Sequence, residues 1–386
     1  MSQAIANPSG AKPSGAKPSG LEGVVAAPSA ICFIDGDAGR LIFRGYDIGD
    51  LVEQCSFEET AYLLWHTDLP KKSQLDQLKK ELSTSMALPT SVMNVLKALP
   101  TTTQPMDALR TACSALAGED PDLKSNEPDA DYRKAIRLTA QFPTAVCAFH
   151  RLRQGLTPIA PDPSMSIAGN LLYMLTGKKA HETLVRAMDA ALVAHAEHGM
   201  NASTFACRVT AATLADLHAA ITAAISALKG PLHGGANQDV MELLLASGDA
   251  DKLEADVRRM LTEGQKIPGF GHRVYKTFDP RATFLSKVSK QLGEAAGNVK
   301  WYEMSQRIIP VVKDLKNKDP NVDFFSASAY YTMGIPLDLF TCIFAIARVT
   351  GWSAHAMEQH SNNRIIRPTD DYIGPMDRKI VSIDKR

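Results

Sequence analysis

Residues 230–237 read Gly230-Pro231-Leu232-His233-Gly234-Gly235-Ala236-Asn237, a stretch that sets an imidazole where one long helix stops and the next begins. Upstream of it Phe205, Val209, Thr213, Leu217, Ile221, Ile225 and Leu228 recur at a spacing near four. That spacing predicts a helix from about Ser203 to Lys229 with one buried face. Gly230-Pro231 ends it. Asn237, Gln238 and Asp239 offer starts for a following helix over Val240 to Ala246, whose free backbone amides would favour an anion or a developing negative charge beside His233. Taken alone, the motif reads equally well as a linker glycine pair with a solvated histidine.

The rest of the chain sets bounds on what such a site can serve. With 386 residues there is room for two domains at ~100–200 residues each. Lys+Arg and Asp+Glu both number 42, so no global basic field recruits nucleic acid or an anionic membrane. Cys32, Cys55, Cys113, Cys147, Cys207 and Cys342 form no CxxC pair, which predicts reduced packing thiols and a cytoplasmic setting rather than a disulfide frame or a zinc site. The longest apolar run, Leu337 to Ala347, stops at Arg348, short of the ~20 residues of a membrane span. A soluble protein without a membrane partner is expected.

Residues 1–20 repeat Ala-Lys-Pro-Ser-Gly imperfectly and have almost nothing to bury, so a disordered tail is expected. Between Leu21 and Arg44 the run DGDAGRLIFRGYD suggests a short strand and a hairpin-like turn, the one β feature of an otherwise helical chain. Amphipathic helices follow over Phe57 to His66, Lys71 to Met86 and Leu109 to Gly118. Glu119 to Asp131 is acidic and carries proline, as a surface loop does. Tyr132 to Arg153 reads as a helix interrupted at Pro143. Ser166 to Leu175, Glu182 to His195, Ala250 to Gly264, Ala282 to Gly293, Trp301 to Leu315, Ser326 to Met333 and Leu337 to Met357 complete an all-α fold.

Four places carry chemistry. His195 and His198, three apart in HAEHGMNAST, raise a metal site, but HExxH is absent and no third ligand is near, so a histidine presented at a helix end with Asn201 or Ser203 capping the next helix is preferred. The loop IPGFGHRVYKTFDPR gathers His272, Arg273, Lys276 and Arg281, a density of cations suited to a polyanion, with a solvated basic loop as the plain alternative. Asp323, flanked by Val322 and Phe324 just before a helix, should be partly desolvated and so raised in proton affinity toward that of a general base. An ordinary helix-start aspartate is its plain alternative. Arg348 lies in an apolar helix and needs a partner, and HSNNRIIRPTDDYIGP adds Arg364 and Arg367 beyond it. No P-loop, completed dinucleotide fingerprint or catalytic Ser or Cys motif appears. Proton abstraction and carbonyl polarisation on an anionic substrate remain.

GPLHGGAN, PGFGHRVYKTFDPR, NVDFFS and AEHGMNAST together resemble the citrate synthase family, which includes the 2-methylcitrate synthases, over about Leu21 to Pro375. The resemblance implies a homodimer whose protomers pair a large helical domain (21–236 and 335–386) with a small one (237–334) around a cleft. It implies condensation of acetyl-CoA with oxaloacetate through an enol, followed by hydrolysis of citryl-CoA. By the same resemblance Asp323 is the base, His233 holds the thioester oxygen and His272 polarises the ketone. His198, Arg281 and Arg348 bind the oxaloacetate carboxylates, and Arg367 reaches in from the partner subunit. Arg273, Lys276 and Arg364 are candidates for the CoA phosphates. No metal or resident cofactor is implied, since acetyl-CoA is a substrate.

Three rivals stand beside this reading. Propionyl-CoA differs from acetyl-CoA by one methylene, worth only ~1–3 kcal/mol in a pocket, so no motif separates the two synthases. A non-catalytic ligand-binding protein of the same fold would have no use for His233, His272 and Asp323 together. A metalloenzyme built on those same three residues is the third.

Overall fold

The computed structural model describes residues 20–21, 23–370 and 372–386, so the expected disordered tail at 1–20 lies outside the described residues except for Gly20. Three short antiparallel strands open the chain, β1 (Cys32–Asp35), β2 (Arg40–Phe43) and β3 (Tyr46–Asp47), in the order β1-β2-β3 with Phe33 opposite Ile42. Helices follow as α1 (Ile48–Gln54), α2 (Phe57–His66), α3 (Lys72–Ser85), α4 (Thr90–Ala98), α5 (Pro105–Leu116), α6 (Pro128–Arg153), α7 (Ile167–Thr176) and α8 (Glu182–His195). Then come α9 (Ala202–Ala211), α10 (Leu217–Leu228), α11 (Ala236–Ser247), α12 (Ala250–Thr262), α13 (Pro280–Ala295), α14 (Lys300–Lys316), α15 (Val322–Thr332) and α16 (Phe340–Ser361). The chain is mostly helical, as its sequence pattern predicts.

Local chemistry explains many of the boundaries. Ser56 and Glu59 form a reciprocal capping box at α2, with Glu59 Oε2 accepting from the Ser56 amide at 2.8 Å. Ser166 caps α7, and Gly177 at φ 79° closes it in the left-handed region.

Several expectations need correction. The single helix over Ser203 to Lys229 is two, because Leu214 turns to φ 63° and Asp216 caps a new start by accepting from the Ala219 amide at 3.0 Å. Asn126 Nδ2 holds the turn by donating to the Leu214 carbonyl at 2.9 Å. The following helix starts at Ala236 rather than Val240, directly after the glycine pair. Pro143 does not interrupt α6, which runs unbroken from Pro128 to Arg153. A proline inside a helix costs about 3 kcal/mol; burial of Leu138, Phe142, Val146 and Phe149 around it offsets that, each worth roughly 1.5–3 kcal/mol. Finally, α15 begins at Val322, so Asp323 stands inside its first turn and not ahead of it.

Helix α16 is the axis of the molecule. By length and composition it could cross a membrane, yet it is buried among α2, α5, α6, α8, α9 and α10, with Trp352 and Arg348 among the largest enclosed side chains. Helices α11 to α15 pack mainly on one another and meet the remainder through α13 against α1 and α8 and through α11 against α16. The C-terminal ends of α8 and α10 and the N-terminal ends of α13 and α15 carry or adjoin the candidate residues.

Candidate active site

His233 sits in the turn between α10 and α11, held there by the glycine beside it. A Cβ at Gly234 would lie 2.4 Å from the Leu228 carbonyl oxygen, so only glycine permits the chain to fold back this tightly. His233 Nε2 accepts from the Ser203 amide at 3.3 Å and lies 2.9 Å from Ser203 Oγ, which itself accepts from Trp352 Nε1 at 3.1 Å. A ring nitrogen that accepts from a backbone N–H carries no proton, so the proton of the neutral ring is on Nδ1. Burial, with Arg348 adding to it, lowers this histidine to about 4.

His272 is fixed in the opposite sense. Its Nδ1 accepts from the amides of Val274 at 3.0 Å and Tyr275 at 3.3 Å, which places the proton on Nε2. Burial and then Arg281 lower it to about 4. His198 packs beside it with ring centroids 5.0 Å apart and meets the Tyr275 hydroxyl through Nε2 at 3.0 Å. Burial, then Arg281, the His272 ring and Arg348, hold His198 well below its ordinary value. All three rings are neutral at pH 7.

The cations are buried. Arg281 donates through Nε and Nη2 to Asp279 at 3.0 and 2.7 Å, and Asp279 also accepts from the Val322 amide at 3.1 Å, joining the start of α13 to that of α15. Arg348 donates from Nε to the His195 carbonyl at 2.7 Å and lies 4.5 Å from the centroid of Phe344. Its Nη2 is enclosed without a partner among the described residues, and burial pulls the guanidinium down to about 10 although Glu197 opposes the shift. Asp323 is pushed up to about 6, chiefly by burial, with Arg281 and Arg348 pulling against it and Asp279 reinforcing it. A first-turn aspartate ordinarily gains from the helix dipole; here desolvation is the larger effect.

Arg348 and His233 both lie against Phe344, and Asp323 lies within the field of Arg281 and Arg348, so the structure brings His198, His233, His272, Arg281, Arg348 and Asp323 into one cluster. The remaining candidates lie elsewhere. Arg273 is exposed beside His272, while Lys276 is paired with Asp37 at 2.9 Å on the turn between β1 and β2. Arg364 and Arg367 are exposed on the extended segment after α16, and no side-chain bond ties either to the cluster. Among the described residues no three His, Cys, Asp or Glu side chains group as metal ligands. His195 and His198 do not share a helix face, because α8 ends at His195, whose Nδ1 donates to Ala191 at 2.8 Å. Asn201 caps α9 as expected, accepting from the Thr204 amide at 3.1 Å.

Sequence reasoning missed Ser203, Trp352, Tyr275 and Asp279 as supports of the site. Asp279 had a readable signal, an aspartate-proline step at a helix start two residues before Arg281. Ser203 and Trp352 lie 30 and 119 positions from His233 in the chain, and nothing in the spacing couples them.

Comparison with known proteins agrees with this arrangement. The family described as citrate synthase, C-terminal domain, matches residues 20–369. Citrate synthase 2 of Bacillus subtilis (strain 168) is 50% identical over 367 residues, covering 95% of this chain and 98% of that one. The citrate synthase of Haloferax volcanii is 47% identical over 371 residues, with 95% and 98% covered. A solved structure of citrate synthase from Thermoplasma acidophilum, a ternary complex with carboxymethyl coenzyme A and oxaloacetate, superposes with a TM-score of 0.90 at 33% identity, covering 95% of this chain and 99% of that one. With a family match along nearly its whole length and relatives at half identity, this chain belongs to the citrate synthase family.

Proposed function

We propose that the cleft condenses acetyl-CoA with oxaloacetate and hydrolyses the resulting citryl-CoA to citrate and CoA. The carrying observation is the pair of opposed imidazole tautomers beside a carboxylate of raised pKa. Asp323 takes a proton from the thioester methyl group. His233 donates Nδ1–H to the thioester oxygen and stabilises the enol, which attacks the ketone carbon of oxaloacetate. His272 donates Nε2–H to the ketone oxygen and supplies the proton of the new hydroxyl. Water then cleaves the thioester. His198, Arg281 and Arg348 hold the oxaloacetate carboxylates, and the unpartnered Arg348 Nη2 is suited to that task because a buried cation gains most from an arriving anion. Arg273 and Arg364 are the freer cations for the CoA phosphates, with Lys276 available once it leaves Asp37. The chain's own groups supply every step, so neither a metal nor a resident cofactor is assigned.

The chain works as a homodimer in this reading, with residues 21–236 and 335–386 as the large domain and 237–334 as a small domain that closes over oxaloacetate. Two features support pairing. Ala219, Thr222, Ala223 and Ser226 line a face of α10 that is not fully covered, where small side chains permit close helix approach. The C-terminal segment exposes Ile373 at 93% and Ile380 at 92%, an arm whose isoleucines are left uncovered among the described residues and that would carry Arg367 into the partner's cleft. A cytoplasmic location agrees with the free cysteines.

Free CoA released with oxaloacetate, compared for acetyl-CoA and propionyl-CoA, tests the reading. A preference for acetyl-CoA of about tenfold or more in kcat/KM is expected. Preference for propionyl-CoA would move the activity to 2-methylcitrate with the same residues in the same roles, and release from neither would refute it. The acid limb of the pH profile is a second expected result. A base must be ionised, so kcat/KM for acetyl-CoA should be flat well above the Asp323 value of about 6 and fall about tenfold per pH unit below it. A limb centred near 4 would assign the titration to other groups.

A further inference from the structure

Two fully buried polar side chains at the root of the cleft have no part in the steps above. His195 ends α8, and its Nδ1–H is spent on the Ala191 carbonyl at 2.8 Å, which leaves Nε2 as a lone-pair acceptor that is enclosed without a partner among the described residues. Tyr330, on α15, likewise has an enclosed hydroxyl that no described residue partners. Their ring centroids are 6.3 Å apart with the planes tilted by 38°. The wall beside them is apolar on both counts. Phe340 meets Tyr330 edge-on at 5.4 Å and Phe344 meets His195 edge-on at 5.1 Å. Phe340 and Phe344 are one turn apart on α16, a rise of about 6 Å that matches the separation of the two polar rings. Neither polar atom finds an alternative partner on that side.

We infer that the Tyr330 hydroxyl donates to His195 Nε2 as α15 moves toward α8, and that this bond positions Asp323 against oxaloacetate. The two groups are complementary. Burial holds the phenol protonated and therefore a donor, and it lowers His195 to about 3, so the ring stays a neutral acceptor. A small movement of one helix against the other brings the pair to the ~3 Å of a hydrogen bond. Tyr330 stands two turns beyond Asp323 on the same face of α15, so fixing one sets the pose of the other. At the other end, the His195 carbonyl already holds Arg348, and His198 follows three residues later. The bond therefore ties the helix of the proposed base to the groups proposed to hold its substrate. Tyr330 and His195 are positioning residues, and their role rests on the functional reading above.

Tyr330→Phe tests it through two readouts that a merely structural tyrosine would not separate. Without ligand, the variant should unfold at the wild-type temperature or above it, because it loses a hydroxyl that has no partner there. Its kcat should fall about 5- to 10-fold, the range expected for one lost hydrogen bond, and the rise in Tm on adding oxaloacetate should shrink. His195→Leu, which keeps the carbonyl that holds Arg348, should reproduce the loss of turnover, and the double variant should lose no more than either single one. Wild-type kcat and oxaloacetate response in Tyr330→Phe would overturn the pairing. So would a lowered Tm without ligand, since the hydroxyl would then be partnered in the free protein. A wild-type protein whose Tm ignores oxaloacetate would overturn the functional reading itself, and the pairing with it.

Discussion

Asp323→Asn is expected to lower kcat by about 100- to 10,000-fold, the range that a positioned general base contributes, while making the unliganded protein more stable at pH 8. Both effects come from one cause. Burial lifts Asp323 from 3.8 to about 6, so the folded state favours the neutral carboxyl and is penalised for holding the ion. The penalty is fully present above pH 6 and vanishes below the unfolded value near 4, because there the group is protonated in both states. A shift of this size corresponds to about 3 kcal/mol, discounted to roughly 1–2 kcal/mol because the side chain is partly open to the cleft. Thermal or urea unfolding of both proteins at pH 8 and pH 4 measures it, and kcat in CoA release measures the rest. Loss of turnover together with loss of stability at pH 8 would point to a damaged fold and not to a missing base.

Gly351→Ala is expected to destabilise the protein by about 3 kcal/mol or more, toward the top of the overpacking range. A Cβ at Gly351 would stand 2.2 Å from Glu197 Oε2 and 2.4 Å from the Ala196 carbonyl oxygen. Rotating Glu197 away relieves the first contact, but the second is backbone. That backbone is the turn between His195 and His198, so whatever protein folds should also bind oxaloacetate poorly. Gly235→Ala is the matched control. Its Cβ meets nothing within 4 Å and its φ of −92° suits alanine, so stability and turnover should change little. Denaturant midpoints of the two variants decide the matter; equal midpoints would mean that α16 yields more readily than its packing implies.

Much of this molecule was legible in its sequence for one reason, that the residues of the proposed chemistry stand at helix ends where glycine, proline and capping residues leave marks. His233 follows Gly230-Pro231, His272 follows Gly269 and Gly271, and Asn201 caps the helix after His198. What escaped the sequence depends on distant packing. The break at Leu214 carries no glycine or proline, and the apolar spacing that runs across it misleads, since Phe205 and Val209 are only half-buried and Thr213 is exposed while α9 buries Ser203, Thr204, Cys207, Arg208 and Ala211 instead. Pro143 carries a strong signal that the surrounding core overrides. The proton positions of His233 and His272 were likewise beyond reach, because each is set by backbone amides that only the folded chain delivers, one of them from Ser203, thirty residues away. Glu197, Arg208 and His355 form a further buried network behind the site, with His355 Nε2 donating to Glu197 at 3.0 Å and Arg208 Nη1 donating to His355 Nδ1 at 3.2 Å. Local pattern predicts none of these three as partners.

The Trp352–Ser203–His233 chain gives the enzyme a built-in optical reporter. Of the three tryptophans, Trp65 donates to Thr350 and Ser353 and Trp301 lies half-buried on α14, so only Trp352 is wired to an imidazole of the cleft. With Trp65 and Trp301 replaced by phenylalanine, the remaining indole emission would follow every event that changes the Ser203 hydroxyl. Acidification through the His233 value near 4 and arrival of a thioester would each register as a change of intensity at a single known position. Stopped-flow fluorescence could then time the arrival of each substrate in an unlabelled protein, separately from the chemical step.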